Sequence, residues 1–126
     1  RRKTIRRARS DGLRKIDKSM ITVLVTYKLP AGMDRAAAAK LSEDTAPKFQ
    51  ALAGQGLRTK HFLYQEAAGL GGGFYAWETR GQAEAFHCEA WLDSMEERMG
   101  SRPELTFFET AVLVDNTTGE VQVQAA

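Results

Sequence analysis

The sequence predicts an α+β domain with two helices on one face of an antiparallel sheet. Three observations carry that expectation: apolar residues alternate with period 2 in four segments, recur every three or four residues in two others, and these segments fall in the order β-α-β-β-α-β. A chain of 126 residues accommodates one such domain with a core large enough to need neither disulfides nor a structural metal.

The first strand begins after Met20. Ile21, Val23, Val25 and Tyr27 share one face and Thr22, Leu24 and Thr26 the other, before Pro30 ends the run. Asp34 then caps a helix starting at Arg35, with Ala38, Leu41, Thr45, Phe49 and Leu52 on its inward stripe. Pro47 is expected to kink or split this helix, and Gly54 and Gly56 to end it. Leu57–Glu66 reads as a second strand, with Leu57, Thr59, His61 and Leu63 opposite Arg58, Lys60, Phe62 and Tyr64. A glycine-rich hairpin loop over 67–71 leads to a third strand, Gly72–Glu78, with Tyr75 and Trp77 on one face.

Thr79 and Gln82 have capping-box spacing, so a second helix is expected from there to about Met99. Its inward row is Ala83, His87, Trp91, Met95 and Met99, while Glu84, Glu89, Glu96 and Glu97 face water, and Gly100 suits a left-handed stop. Leu105–Val114 alternates as a long fourth strand, and the run from Asp115 to Gly119 turns the chain toward Val121 and Val123. This order is that of a ferredoxin-like layer.

The net charge of +2 hides an uneven distribution. Residues 1–19 carry nine basic side chains against two acidic ones, whereas from Met20 onward nine face fourteen. A basic arm can bind nucleic acid or a membrane surface, but this one has no aromatic residue for base stacking and no clean apolar face for lipid. Asp11 and Asp17 weaken a transit-peptide reading. The preferred reading is a leader upstream of the fold, with a family-specific extension as the alternative. The chain thus divides into a basic leader or extension over 1–19, the folded domain over 20–116, and a tail or short strand over 117–126.

Other classes are set aside by what the sequence lacks. Cys88 is the only cysteine, so no intrachain disulfide can form, and a reducing, cytoplasmic setting is expected. No apolar run reaches the ~20 residues of a membrane span, and no metal-ligand spacing of His, Cys, Asp and Glu is visible. Gly69 and Gly71–Gly73 join two strands rather than opening a helix, so they form no phosphate cradle.

The sheet is apolar on both faces. Whichever side the helices cover, either Ile21/Val23/Val25/Tyr27 or Leu24/Phe62/Tyr64/Phe108/Val112/Val114 needs another partner, which predicts a homodimer through packed sheets.

The stretches Met20–Val25, Thr45–Phe49, Gly56–Phe62, Gly72–Glu78 and Phe107–Glu109, with the Ala-Glu-Ala-Phe helix start and the segment from Trp91 to Arg98 in the same order, resemble the YdhR-like monooxygenase family of the dimeric α+β barrel superfamily. The resemblance spans about residues 20–116. It implies a dimer of ferredoxin-like subunits with a pocket between sheet and helices. Related branches oxygenate polycyclic phenols without metal or flavin, so no cofactor is expected.

His61 and His87 are the side chains with unperturbed pKa values near neutrality, and either can serve as a general base. His87 is preferred, because its helical row faces the strand bearing Tyr75 and Trp77; these three form the expected catalytic group. Tyr27, His61, Phe62, Phe86 and Trp91 are the expected substrate-binding residues, suited to a small apolar or aromatic ligand. A Trp on the third strand with a His ten residues later also resembles haem-degrading enzymes of this fold, but the Asn those enzymes carry on the first strand is missing here. The functional expectation is a cofactor-independent monooxygenase acting on a phenolic or polycyclic substrate. The alternative is a non-catalytic, ligand-binding or stress-responsive barrel.

Overall fold

The computed structural model describes residues 13–16 and 20–124. In chain order the elements are β1 (Leu13–Ile16), β2 (Ile21–Lys28), α1 (Arg35–Gln50), a short 3₁₀ segment (Ala51–Gln55), β3 (Leu57–Gln65), β4 (Leu70–Trp77), α2 (Arg80–Phe86), α3 (Glu89–Met99), β5 (Glu104–Glu109), β6 (Val112–Asp115) and β7 (Glu120–Gln124). The main sheet has the order β3-β4-β2-β5, antiparallel throughout, with helices on one face. This is the expected α+β, ferredoxin-like arrangement. A smaller sheet, β1-β7-β6, joins it, with β1 parallel to β7.

The helix-facing side of the main sheet is the core. Ile21, Val23 and Val25 of β2 pair with Trp77, Tyr75 and Gly73 of β4, so all six lie on one face, and the five side chains larger than glycine are at most 2% exposed. Burying one such valine contributes roughly 1.5–3 kcal/mol. Ala83 of α2 and Leu57 of β3 close the cluster, with Phe49, Phe86 and Trp91 packed around it.

Both expected helix starts are present. The Asp34 carboxylate accepts from Ala37 N at 2.9 Å, and the Thr79 hydroxyl accepts from Gln82 N at 3.1 Å. The return half of the capping box is not made. The Gln82 carboxamide instead lies against Gly56, where a Cβ would collide with Gln82 Oε1, and that oxygen is buried without a hydrogen-bond partner. Gly56 and Gly100 take the left-handed conformation, with φ of 96° and 83°.

Several expected boundaries are corrected. Pro47 neither splits nor ends α1, which continues to Gln50; proline and the residue four before it, Glu43, are both exposed, so the unpaired carbonyl faces water. The second helix breaks in two at His87 and Cys88, where Cys88 is extended (φ −90°, ψ 175°), although the four-residue row continues in phase across the break. The expected fourth strand is two strands in two sheets. It leaves β2 where β2 begins: Thr110 N donates to Met20 O at 2.9 Å, and from Ala111 onward the chain pairs with β7 instead.

A bulge between Leu57 and Thr59 shifts the alternation of β3. Leu57, Lys60, Phe62 and Tyr64 therefore all fall on the helix-facing side, and Thr59, His61 and Leu63 on the other. Consequently Phe62 and Tyr64 do not belong to the open face. That face carries Leu24, Leu63, Phe74 and Phe108, the last three 39%, 41% and 52% exposed. β4 starts at Leu70, so Gly71–Gly73 are strand residues and the tight turn is Glu66–Gly69, closed by Gly69 N to Glu66 O at 3.1 Å.

Within the basic N-terminal region, Leu13–Ile16 pairs with Val121–Gln124; residues 1–12 and 17–19, and with them most of the proposed leader, lie outside the described residues. No helix among the described residues is long and apolar enough to cross a membrane.

Candidate functional site

α1 touches the sheet chiefly along β3 and has no fully buried residue. The gap it leaves is a small, open cleft of about 80 Å³ between α1, α3 and the core face of the sheet. Val25 and Tyr27 of β2, Lys60 and Phe62 of β3, and Gly73 and Tyr75 of β4 form its floor. Leu41, Thr45, Lys48 and Phe49 of α1 form one wall, and Trp91, Met95, Arg98 and Met99 of α3 the other. The α3 wall is the four-residue inward row of the sequence, continued by Arg98 at the rim.

Glycine shapes the floor. A Cβ at Gly73 would meet the Tyr75 ring at 2.7 Å and Lys60 Cε at 3.2 Å, so the bare backbone there is what lets both side chains lie over it. Lys60 Nζ sits within a ring cage, 3.4 Å from the Phe49 centroid, 3.9 Å from Phe62 and 4.7 Å from Tyr75. Burial, followed by the nearby charges of Lys48 and Arg98, pushes its pKa down to about 7; the ring faces work in the opposite direction, favouring the ammonium.

Tyr75 is raised above the ordinary phenol value by burial and by Tyr27, with Arg98 opposing, and Tyr27 is raised by burial, again with Arg98 opposing. Both remain protonated hydrogen-bond donors near neutrality.

His87 stands behind this floor. It is 5% exposed and does not line the cleft. Its ring meets Tyr75 edge-on at 4.5 Å and Trp91 at 4.9 Å, and its Nε2 accepts the Trp77 indole N–H at 3.1 Å. With Nε2 accepting, the neutral ring carries its proton on Nδ1, an atom that is buried without a hydrogen-bond partner. Burial and then Lys60 push the His87 pKa down to about 4.

The structure thus brings Tyr27, Phe62, Tyr75 and Trp91 together around one cleft. Trp77, His87 and Phe86 form a packed aromatic layer next to it, with Trp77 stacked on Tyr75 at 6.3 Å. His61 is on the other side of the sheet, exposed and edge-on to Phe74 at 5.9 Å. Sequence reasoning missed Lys60, Lys48, Phe49 and Arg98. For Lys60 there was a signal: it is the charged member of the alternating set Lys60, Phe62, Tyr64, an unusual place for a cation on a strand bordered by glycines. Among the described residues no group of three His, Cys, Asp or Glu side chains is placed to hold a metal ion.

No protein-family model matches the chain, and no curated protein matches it in sequence. Solved structures do match in fold. A protein of unknown function from Nitrosomonas europaea, NE2512, superposes with a TM-score of 0.56 at 17% identity, covering 75% of this chain and 91% of that one. A second protein from the same organism, named "Putative antibiotic biosynthesis monooxygenase", superposes with a TM-score of 0.52 at 14% identity, covering 75% and 92%. At these identities the likeness shows the fold alone: an α+β, ferredoxin-like domain.

Proposed function

We propose that this protein is a monooxygenase of the YdhR-like type that oxidises a small planar aromatic substrate in the cleft between α1, α3 and the sheet. The observation that carries the reading is the cleft itself. Phe49, Phe62, Tyr75 and Trp91 offer ring faces and edges to a flat molecule, and the Tyr27 and Tyr75 hydroxyls stay protonated to donate to its oxygen atoms. The fold likeness to a protein named for monooxygenase activity supports the same reaction class.

In this reading the protein removes a proton from an electron-rich ring and holds the resulting anion, which reduces dioxygen directly. At a ring CH₂ flanked by aromatic carbons, one oxygen atom becomes the carbonyl and the other leaves as water with the two hydrogens. The carbon gives up four electrons and dioxygen takes four. The enzyme supplies orientation and exclusion of water. His87 and Trp77 act as positioning residues, since their hydrogen bond and edge contacts hold the Tyr75 ring in place.

The reading also includes a homodimer. Leu24, Leu63, Phe74 and Phe108 form an apolar face that no helix among the described residues covers, and a second copy packing sheet to sheet would bury it.

Oxygen uptake with anthrone tests the proposal. Enzyme-dependent formation of anthraquinone with one dioxygen consumed per molecule and no peroxide released is expected. Saturable anthrone binding with no uptake would instead make the protein a ligand-binding barrel.

A further inference from the structure

Three basic side chains line the cleft, one from each of three elements: Lys48 of α1, Lys60 of β3 and Arg98 of α3. Among the described residues no Asp or Glu lines it. A neutral aromatic ligand would leave the charges of Lys48 and Arg98 uncompensated in a partly desolvated space, whereas an anion would answer them. The shape restricts the approach. Lys60 Nζ lies 3.4–4.7 Å from the ring centroids of Phe49, Phe62 and Tyr75, so an acidic atom presented to it approaches from the open side of the cleft, past these rings.

Resting on the reading of the cleft as an aromatic site, we propose that Lys60 Nζ is the base that takes the substrate's acidic proton, a phenolic O–H in the simplest case. The phenol O–H bond breaks, an N–H bond forms on Lys60, and a neutral pair becomes an ammonium–phenolate pair with no electron transferred. Lys48 and Arg98 stabilise the phenolate, and Tyr27 and Tyr75 donate to it. A proton acceptor here must be partly neutral near pH 7, and Lys60 meets that condition because burial, Lys48 and Arg98 all disfavour its charge. The groups facing it are Lys48 from α1, Arg98 from α3, Tyr27 from β2 and Tyr75 from β4, with the neutral, buried His87 behind the floor. No carboxylate among the described residues lining the cleft competes for the ammonium.

The test is a spectroscopic titration of the full chain with 4-nitrophenol, whose phenolate absorbs in the visible, below the pH at which the free compound ionises, beside its neutral methyl ether, 4-nitroanisole. The wild-type protein should develop the phenolate band on binding and hold 4-nitrophenol about tenfold tighter than 4-nitroanisole, a difference of ~1.4 kcal/mol. Lys60→Met should lose the band while still binding 4-nitroanisole. Lys48→Met, on an exposed helix position, should weaken phenolate binding about threefold and keeps the test open should Lys60→Met fail to fold. Equal binding of both compounds with no band, or an unchanged band in a folded Lys60→Met, overturns Lys60 as the base and leaves the aromatic cleft standing. Binding of neither compound overturns the aromatic cleft as well.

Discussion

The Trp77 indole donates a hydrogen bond to His87 Nε2 across 3.1 Å, joining the end of β4 to the break between α2 and α3. That bond fixes the imidazole as a neutral acceptor under the Tyr75 ring. Trp77→Phe keeps most of the ring volume but leaves both His87 nitrogens without a partner. A loss of about 1–3 kcal/mol in urea denaturation is expected. Aromatic activity should also fall through displacement of Tyr75.

The same site makes stability depend on pH. The folded-state pKa of His87, about 4, lies below its ordinary 6.5. Between these values the unfolded chain binds a proton that the folded chain does not. The stability contribution is therefore intact above about 6.5 and is lost as pH falls toward 4. Denaturation at a series of pH values should show this slope in the wild type and a shallower one in His87→Leu.

Lys60 gives a second slope of the same sign in a different window. Its folded pKa of about 7 lies below the ordinary 10.5, so stability should rise as pH increases between those values. Lys60→Met should remove that slope and raise the melting temperature at pH 7, while turnover falls about 10²-fold or more. A variant both less stable and fully active would contradict the role given to Lys60.

Much of this arrangement is readable from sequence alone, and the exceptions have physical reasons. Ile21, Val23, Val25, Tyr75 and Trp77 declare the core face by strict alternation beside a covered layer. Trp91, Met95 and Met99 declare the α3 wall by their four-residue spacing. The bulge at Leu57–Thr59 does not announce itself, and one extra residue moves Lys60 and Phe62 into the same layer as Leu57. The division of the expected fourth strand was hidden for a related reason: Val112 and Val114 alternate as well in a second sheet as in the first, and only the end of β2 decides the switch. His87 read as a base because it titrates near neutrality in isolation. Its Trp77 partner and its burial depend on tertiary packing.

Gly73 is the backbone position on which the cleft depends. A methyl group there would stand 2.7 Å from the Tyr75 ring, so Gly73→Ala must displace that ring or the Lys60 stem. A cost of about 1–3 kcal/mol in stability is expected, together with weaker binding of 4-nitrophenol. Gly54→Ala, where nothing lies within 4 Å of the added carbon, should change neither and serves as the control.

The open face predicts assembly. Phe108→Glu places a charge among Leu24, Leu63 and Phe74 on that face and should convert a dimer into a monomer in sedimentation equilibrium at tens of micromolar protein. A wild-type monomer at that concentration would remove the dimer from the account.

The most direct measurement of the central claim, that this cleft oxygenates a planar aromatic, is turnover of anthrone under isotopically labelled dioxygen with mass analysis of product and water. One labelled atom in the anthraquinone carbonyl and one in water, formed at a rate proportional to protein and lost in Lys60→Met, is the predicted result. Product carrying no label above the protein-free background, with anthrone still bound in the cleft, would contradict it.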